Sequence, residues 1–180
     1  MSARRGVAAA AAMIAIAACA TPGRQAAVGT PPAAASEDTT ASGRVHVVGA
    51  APRMVVALEA GGAQVALIGP LASELATLDG ADVTVRGAAG VSPVPIARGG
   101  RAITVREYDI DSIAGRKPVV GTLVVNAAGV RLDSIPLSSP PEALRELAGS
   151  KVWVVGERDA SGALRVDAYG VLRRAGGKSR

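Results

Sequence analysis

Leu78-Asp79-Gly80-Ala81-Asp82-Val83-Thr84-Val85-Arg86-Gly87 returns 69 residues later as Leu147-Ala148-Gly149-Ser150-Lys151-Val152-Trp153-Val154-Val155-Gly156. The shared frame, L-x-G-x-x-V-x-V-x-G, reads as the end of a helix, a glycine stop and a strand buried on one face. A second frame follows each copy: Ile103-x-Val105-x-x-Tyr108-x-Ile110, then Leu164-x-Val166-x-x-Tyr169-x-Val171. Two frames repeated in the same order predict a duplicated module.

The two copies divide the chain into modules at 43–110 and 111–172. Its 180 residues contain 22 glycines and 11 prolines but no phenylalanine, one tryptophan and two tyrosines. Such a chain builds its cores from Ala, Val, Leu and Ile, and its many turns favour short strands over a helical bundle. The net charge of +5 is unevenly spread. Arg4 and Arg5 belong to the N-terminal segment, and the surplus otherwise lies at Arg173, Arg174, Lys178 and Arg180. Each module is charge-balanced, which argues against a nucleic-acid face on the folded part. The tail, 173–180, reads as a basic disordered end.

A short positive stretch, Met1 to Arg5, precedes the apolar run Val7–Ala18. Twelve apolar residues are too few to span a bilayer but suit a signal peptide. The run ends in Ile16-Ala17-Ala18-Cys19, which resembles the bacterial lipobox, and Cys19 is the single cysteine. The resemblance implies a signal peptide at 1–18 and lipidation of Cys19; Ala18-Cys19-Ala20 also satisfies the A-x-A rule of ordinary signal peptidase. Ala20 rather than Asp after the cysteine implies an outer-membrane address facing the periplasm. From Cys19 to Ser42 the composition of Ala, Thr, Pro, Gly and Ser predicts a disordered tether.

Module one reads strand-strand-strand-helix-strand-strand. Val45 and Val47 alternate with Arg44 and His46, Gly61-Gly62 makes a hairpin turn, and Pro70 opens a helix with the stripe Leu71, Leu75, Leu78. This order resembles the OB-fold, a small Greek-key barrel, and the G-x-V start and closing I-x-V resemble OB-fold domains of exported bacterial proteins. In module two only strands 119–126 and 129–137 precede the helix, which Ser139-Pro140-Pro141-Glu142 opens as a capping box. The expected fold is therefore mainly β: two tandem OB-like five-stranded barrels, each with one short helix. Two intact barrels require another source for the second one's first strand, and the long strand 103–113 is long enough to serve both halves; the alternatives are an incomplete second barrel or one larger fused sheet or barrel.

Residues that carry chemistry are sparse. His46 is the only histidine, and with no cysteine beyond Cys19 it cannot assemble a zinc site or a catalytic triad. Asp109-x-Asp111 lacks the remaining oxygens of a calcium loop. Gly61-Gly62 and Gly99-Gly100 precede no Lys-Ser/Thr helix and so form no phosphate cradle. No catalytic residue, metal ligand or cofactor is expected, and Tyr108, Trp153 and Tyr169 are too few aromatics for a base-stacking groove. Trp153 and Val155 stand out. They take the outward positions that Thr84 and Arg86 hold in the first copy, marking an interface between modules, a surface for a partner or ligand, or ordinary core under a shifted register.

The closing strands carry a parity switch. Ile103 and Val105 share one face of an alternating strand, whereas Tyr108 and Ile110 fall on the other; Leu164, Val166, Tyr169 and Val171 repeat the switch. One extra residue in each strand, a β-bulge at Arg106-Glu107 and at Asp167-Ala168, returns all four to one side; the alternative is that each tyrosine faces outward. The functional expectation is a non-catalytic, lipid-anchored envelope protein that binds a protein or glycan and not nucleic acid. The alternative is a structural spacer of the envelope.

Overall fold

A computed structural model describes residues 38–50, 54–93 and 100–176. Cys19, the signal peptide and the tether up to residue 37 lie outside them, as do Gly99, Lys178 and Arg180. The first sheet comprises β1 (Asp38–Val48), β2 (Val55–Ala60), β3 (Ala63–Ile68), β4 (Asp82–Val91) and β5 (Arg101–Ser112). Between β3 and β4 lies the helix α1 (Ala72–Leu75), continued by a 3-10 turn at Ala76–Leu78. The second sheet comprises β6 (Val119–Asn126), β7 (Gly129–Leu132), β8 (Ile135–Ser138), β9 (Lys151–Arg158) and β10 (Leu164–Arg173), with α2 (Glu142–Arg145) between β8 and β9.

Pairing in the first sheet runs β1-β2-β3-β5-β4, and β4 pairs back onto β1. The second runs β6-β7-β8-β10-β9, and β9 pairs back onto β6. Every contact is antiparallel except the equivalent pairs β3 with β5 and β8 with β10. The duplication extends to single hydrogen bonds. Gly80 N donates to Val45 O and Val45 N to Ala81 O; Gly149 N donates to Leu123 O and Leu123 N to Ser150 O. In both copies a glycine with positive φ, Gly80 or Gly149, ends the helical segment.

The second sheet is thus neither short of a strand nor dependent on its neighbour. The stretch 129–137, expected to be one strand, breaks at Asp133-Ser134. Asp133 takes φ 51° and its Oδ1 accepts from Thr122 N at 2.8 Å, which turns the chain and yields β7 and β8. The long strand β5 pairs only with β3 and β4 and is not shared.

Other expectations need correction. β1 begins at Asp38, inside the stretch read as tether, because Asp38–Gly43 lies along β4. Arg173 ends β10 rather than starting a disordered tail. Pro70 sits outside the helix it was expected to open, whose cap is Leu71. The capping box is not made: Ser139 has φ 50°, and Pro141, with no side chain to accept a bond, is the N-cap of α2.

Both expected bulges are present. Arg86 faces Glu107 and Gly87 faces Val105, so Arg106 is the extra residue; Gly156 faces Val166 and Val155 faces Ala168, so Asp167 is. Ile103, Val105 and Ile110 are buried in the first core with Tyr108 packed against it, and Leu164 lies in the second core with Val166, Tyr169 and Val171 against it. The frame-closing glycines explain themselves nearby. A Cβ on Gly87 would overlap the Thr104 carbonyl and one on Gly156 the Arg165 carbonyl, because β4 and β9 cross their partners closely beside the bulge.

Candidate functional site

A second irregularity in each closing strand builds the most highly organised side-chain cluster of the described residues. After Val171 the register of β10 skips Leu172, and at the equivalent place β5 skips Asp111. Asp111 accepts from Thr84 Oγ1 at 2.7 Å on the surface. Leu172, only 4% exposed, turns away from its own sheet into the core of the first, among Leu75, Leu78 and Val83. Trp153 packs against the same core, with its indole over Gly170, where an added Cβ would come within 2.6 Å of the ring.

Beside this apolar contact lies Glu74 of α1, with 3% exposure. Tyr108 Oη donates to its Oε2 at 2.7 Å, and Lys151 Nζ donates to the same oxygen at 2.8 Å and to Tyr108 Oη at 3.2 Å. Arg173 Nη1 lies 3.3 Å from Oε1, and the Lys151 ammonium stands 4.8 Å from the Tyr108 ring centroid. Burial alone would raise the Glu74 pKa. The bonds from Lys151 and Tyr108 and the charges of Lys151 and Arg173 outweigh it, and the carboxyl sits below its ordinary value. Tyr108 is pushed far above the ordinary phenol range, first by burial and then by its bond to the Glu74 carboxylate. The group is held as an anion, a neutral phenol and two cations. Glu74 and Tyr108 come from the first sheet's module, Lys151 and Arg173 from the second.

The expected surface residues divide. Trp153 lies at the contact between modules, as one of its readings required. Val155 is 3% exposed, which withdraws it from any open binding surface. His46 is on the outer face of β1, its Nε2 3.2 Å from Glu59 Oε2. Asp109 and Asp111 are engaged separately, by Arg86 at 3.5 Å and by Thr84. Among the described residues no three His, Cys, Asp or Glu side chains converge as metal ligands. Gly61 and Gly62, at φ 58° and 79°, form the expected hairpin turn.

Glu74, Lys151 and Arg173 were not singled out from the sequence, although a signal existed. Glu74 falls within the stripe Leu71, Leu75, Leu78, at the place Ala143 holds in the second copy. Lys151 replaces Asp82 at the head of the matching strand. An acid on a buried stripe in one copy and a reversed charge in the other point to a pair across the junction.

Three further clefts lie among the described residues. One lies along Asp38, Thr40, Arg86 and Arg106; another lies over Arg44, His46, Glu59 and Asp82. A third, more enclosed and lined mainly by small apolar side chains, opens between β1, the β2–β3 hairpin and β5. No described helix is long and apolar enough to cross a membrane. No protein-family model, curated protein or solved structure matches the chain.

Proposed function

We propose that this chain is a non-catalytic, lipid-anchored protein of the bacterial cell envelope. Its two sheets, each read as an OB-like five-stranded barrel, form one binding or adapter head for a protein or glycan. The observation that carries this reading is the Glu74 cluster. Its residue types, a carboxylate, a phenol and an ammonium, are those an enzyme would use. Here Glu74 is buried and accepts from donors on both sides of the junction, so the group joins the modules instead of waiting on a substrate. A joined pair of sheets offers a rigid surface, and rigid surfaces bind with little ordering cost.

The anchor is assigned to Cys19 on the lipobox resemblance, with the outer membrane facing the periplasm as its address. The reading is tested by expressing the full chain and Cys19→Ser in a Gram-negative host fed a labelled fatty acid. The wild type should carry label and partition into detergent, and the variant should do neither. Equal partitioning of the two would defeat the anchor. Cross-linking in intact envelopes, followed by mass spectrometry, should return one reproducible protein or glycan partner; its absence would favour the spacer reading.

A further inference from the structure

We propose that the open end of the first sheet binds a short aliphatic carboxylate of about four to six carbons. The cavity there has a volume of about 180 Å³. It exists because two pairings stop short. β1 leaves β2 at the Arg44–Glu59 pair, so Asp38–Gly43 runs along β4 alone. β3 meets β5 only over Ala66–Ile68, so the tip of the β2–β3 hairpin stands off from β5. The side chains around the resulting gap are short. Ala41, Ala60, Val65, Ala102 and Ile103 wall it, and all five belong to or pack against the apolar core or are themselves buried. These apolar side chains share the lining with polar groups, and a wholly apolar cavity of about 150 Å³ admits a benzene-sized molecule.

The charge at the mouth selects the ligand. Arg101 lines the cavity and has no ion pair or side-chain hydrogen bond among the described residues. Among the described residues no acidic side chain shares that lining. Asp38, the carboxylate at the start of β1, is taken by Arg106 at 2.6 Å. The Thr39 and Thr40 hydroxyls add polar groups at the same rim. A guanidinium without a partner in the lining of a partly apolar cavity suits a molecule with an aliphatic body and one carboxylate, which the fork of Arg grips with two parallel bonds. The site belongs to the first sheet and does not depend on the envelope reading.

The test is titration of the full chain, followed by calorimetry and by amide chemical shifts, with acetate, butanoate, hexanoate, octanoate, hexanol and hexylamine. Affinity should rise about fourfold per methylene up to roughly six carbons and then level off. Hexanoate should bind about tenfold more tightly than hexanol, and hexylammonium should bind least. Arg101→Gln, at an exposed position, should reduce hexanoate to the level of hexanol and leave hexanol unchanged. Ala60→Leu, which fills the cavity, should abolish both while the circular dichroism spectrum stays that of the wild type. Binding that ignores chain length, or hexanoate binding that survives Arg101→Gln, would overturn the proposal.

Discussion

Glu74 shows how one residue can set a molecule's tolerance of pH and of mutation. A carboxylate this deeply buried is stable only while its partners remain, so breaking the pair costs more than never having made it. Lys151→Met should destabilise the chain by about 3 kcal/mol, measured by urea denaturation. Replacing Glu74 by Leu in the same protein should recover part of that loss, because the unpaired charge goes with it. The pH dependence follows from the direction of each shift. Glu74 is held below its ordinary 4.5, so its contribution is present above that pH and is lost as pH falls through the lowered value. Tyr108 is raised above its ordinary 10.0, so its contribution is present below pH 10 and fades as pH rises beyond it. The midpoint of thermal unfolding should therefore be flat between about pH 5 and 9 and fall on both sides. Glu74→Gln should blunt the acid limb without removing it, since Asp82 and Asp159 are also held low by their hydrogen bonds, foremost those from Arg44 and Ser161. Beyond the reversed charge at Lys151, nothing in the sequence assigned the partners of Glu74. Its contacts with Tyr108, Lys151 and Arg173 span 34 to 99 positions along the chain, and each copy of the repeat holds only half of the cluster.

At the scale of the element, the closing strands were the most legible part of the chain. Strict alternation forced the choice between a bulge and an outward tyrosine, and the register resolves it at Arg106 and Asp167. Deleting Arg106 should remove the bulge and return β5 to plain alternation, with Tyr108 and Ile110 still facing inward. The deletion should therefore cost less than the roughly 2 kcal/mol that losing the burial of Ile110 would, and the bond from Tyr108 to Glu74 should survive it. Arg106→Ala keeps the extra residue and removes only an ion pair whose side chains are 61% and 77% exposed. It should cost less than about 1 kcal/mol, and urea denaturation of the two variants separates geometry from charge. Legibility failed where a turn lacked its usual residues. Asp133-Ser134 carries neither glycine nor proline, and Asp133 enters the left-handed region while its carboxylate ties back to β6, so one apparent strand concealed two. The helix starts failed for the opposite reason. Pro70 and the Ser139–Glu142 motif are strong local signals, but each helical segment is a single turn whose position is set by Leu75 or Leu144 in the core beneath it.

For the whole molecule, the junction makes two sequence copies behave as one body. Leu172 is the residue through which the second sheet enters the first core. Leu172→Ala should cost about 2–5 kcal/mol, split a single thermal transition into two, and shift Trp153 emission to the red as the indole becomes wetter. A single transition at a lower temperature, with unchanged emission, would mean that the apolar contact matters less than the Glu74 cluster. The repeat was visible in the sequence, but the way its copies meet was not, because Leu172 looks like any other apolar strand residue until the register skips it. The junction also joins unlike surfaces, the strand face of one sheet to the helix end of the other, and such a contact could in principle recur from chain to chain without end. The free faces forbid it. On the first sheet the matching strand face is a ladder of partnered polar groups, with Asp82 bound by Arg44 and Ser112, and Thr84 by Ser42 and Asp111. On the second, Ala143 stands where Glu74 would be needed, and Ala175 N donates to Ser150 Oγ beside the helix stop. The side chains that make the junction are therefore present once, and neither free face repeats them.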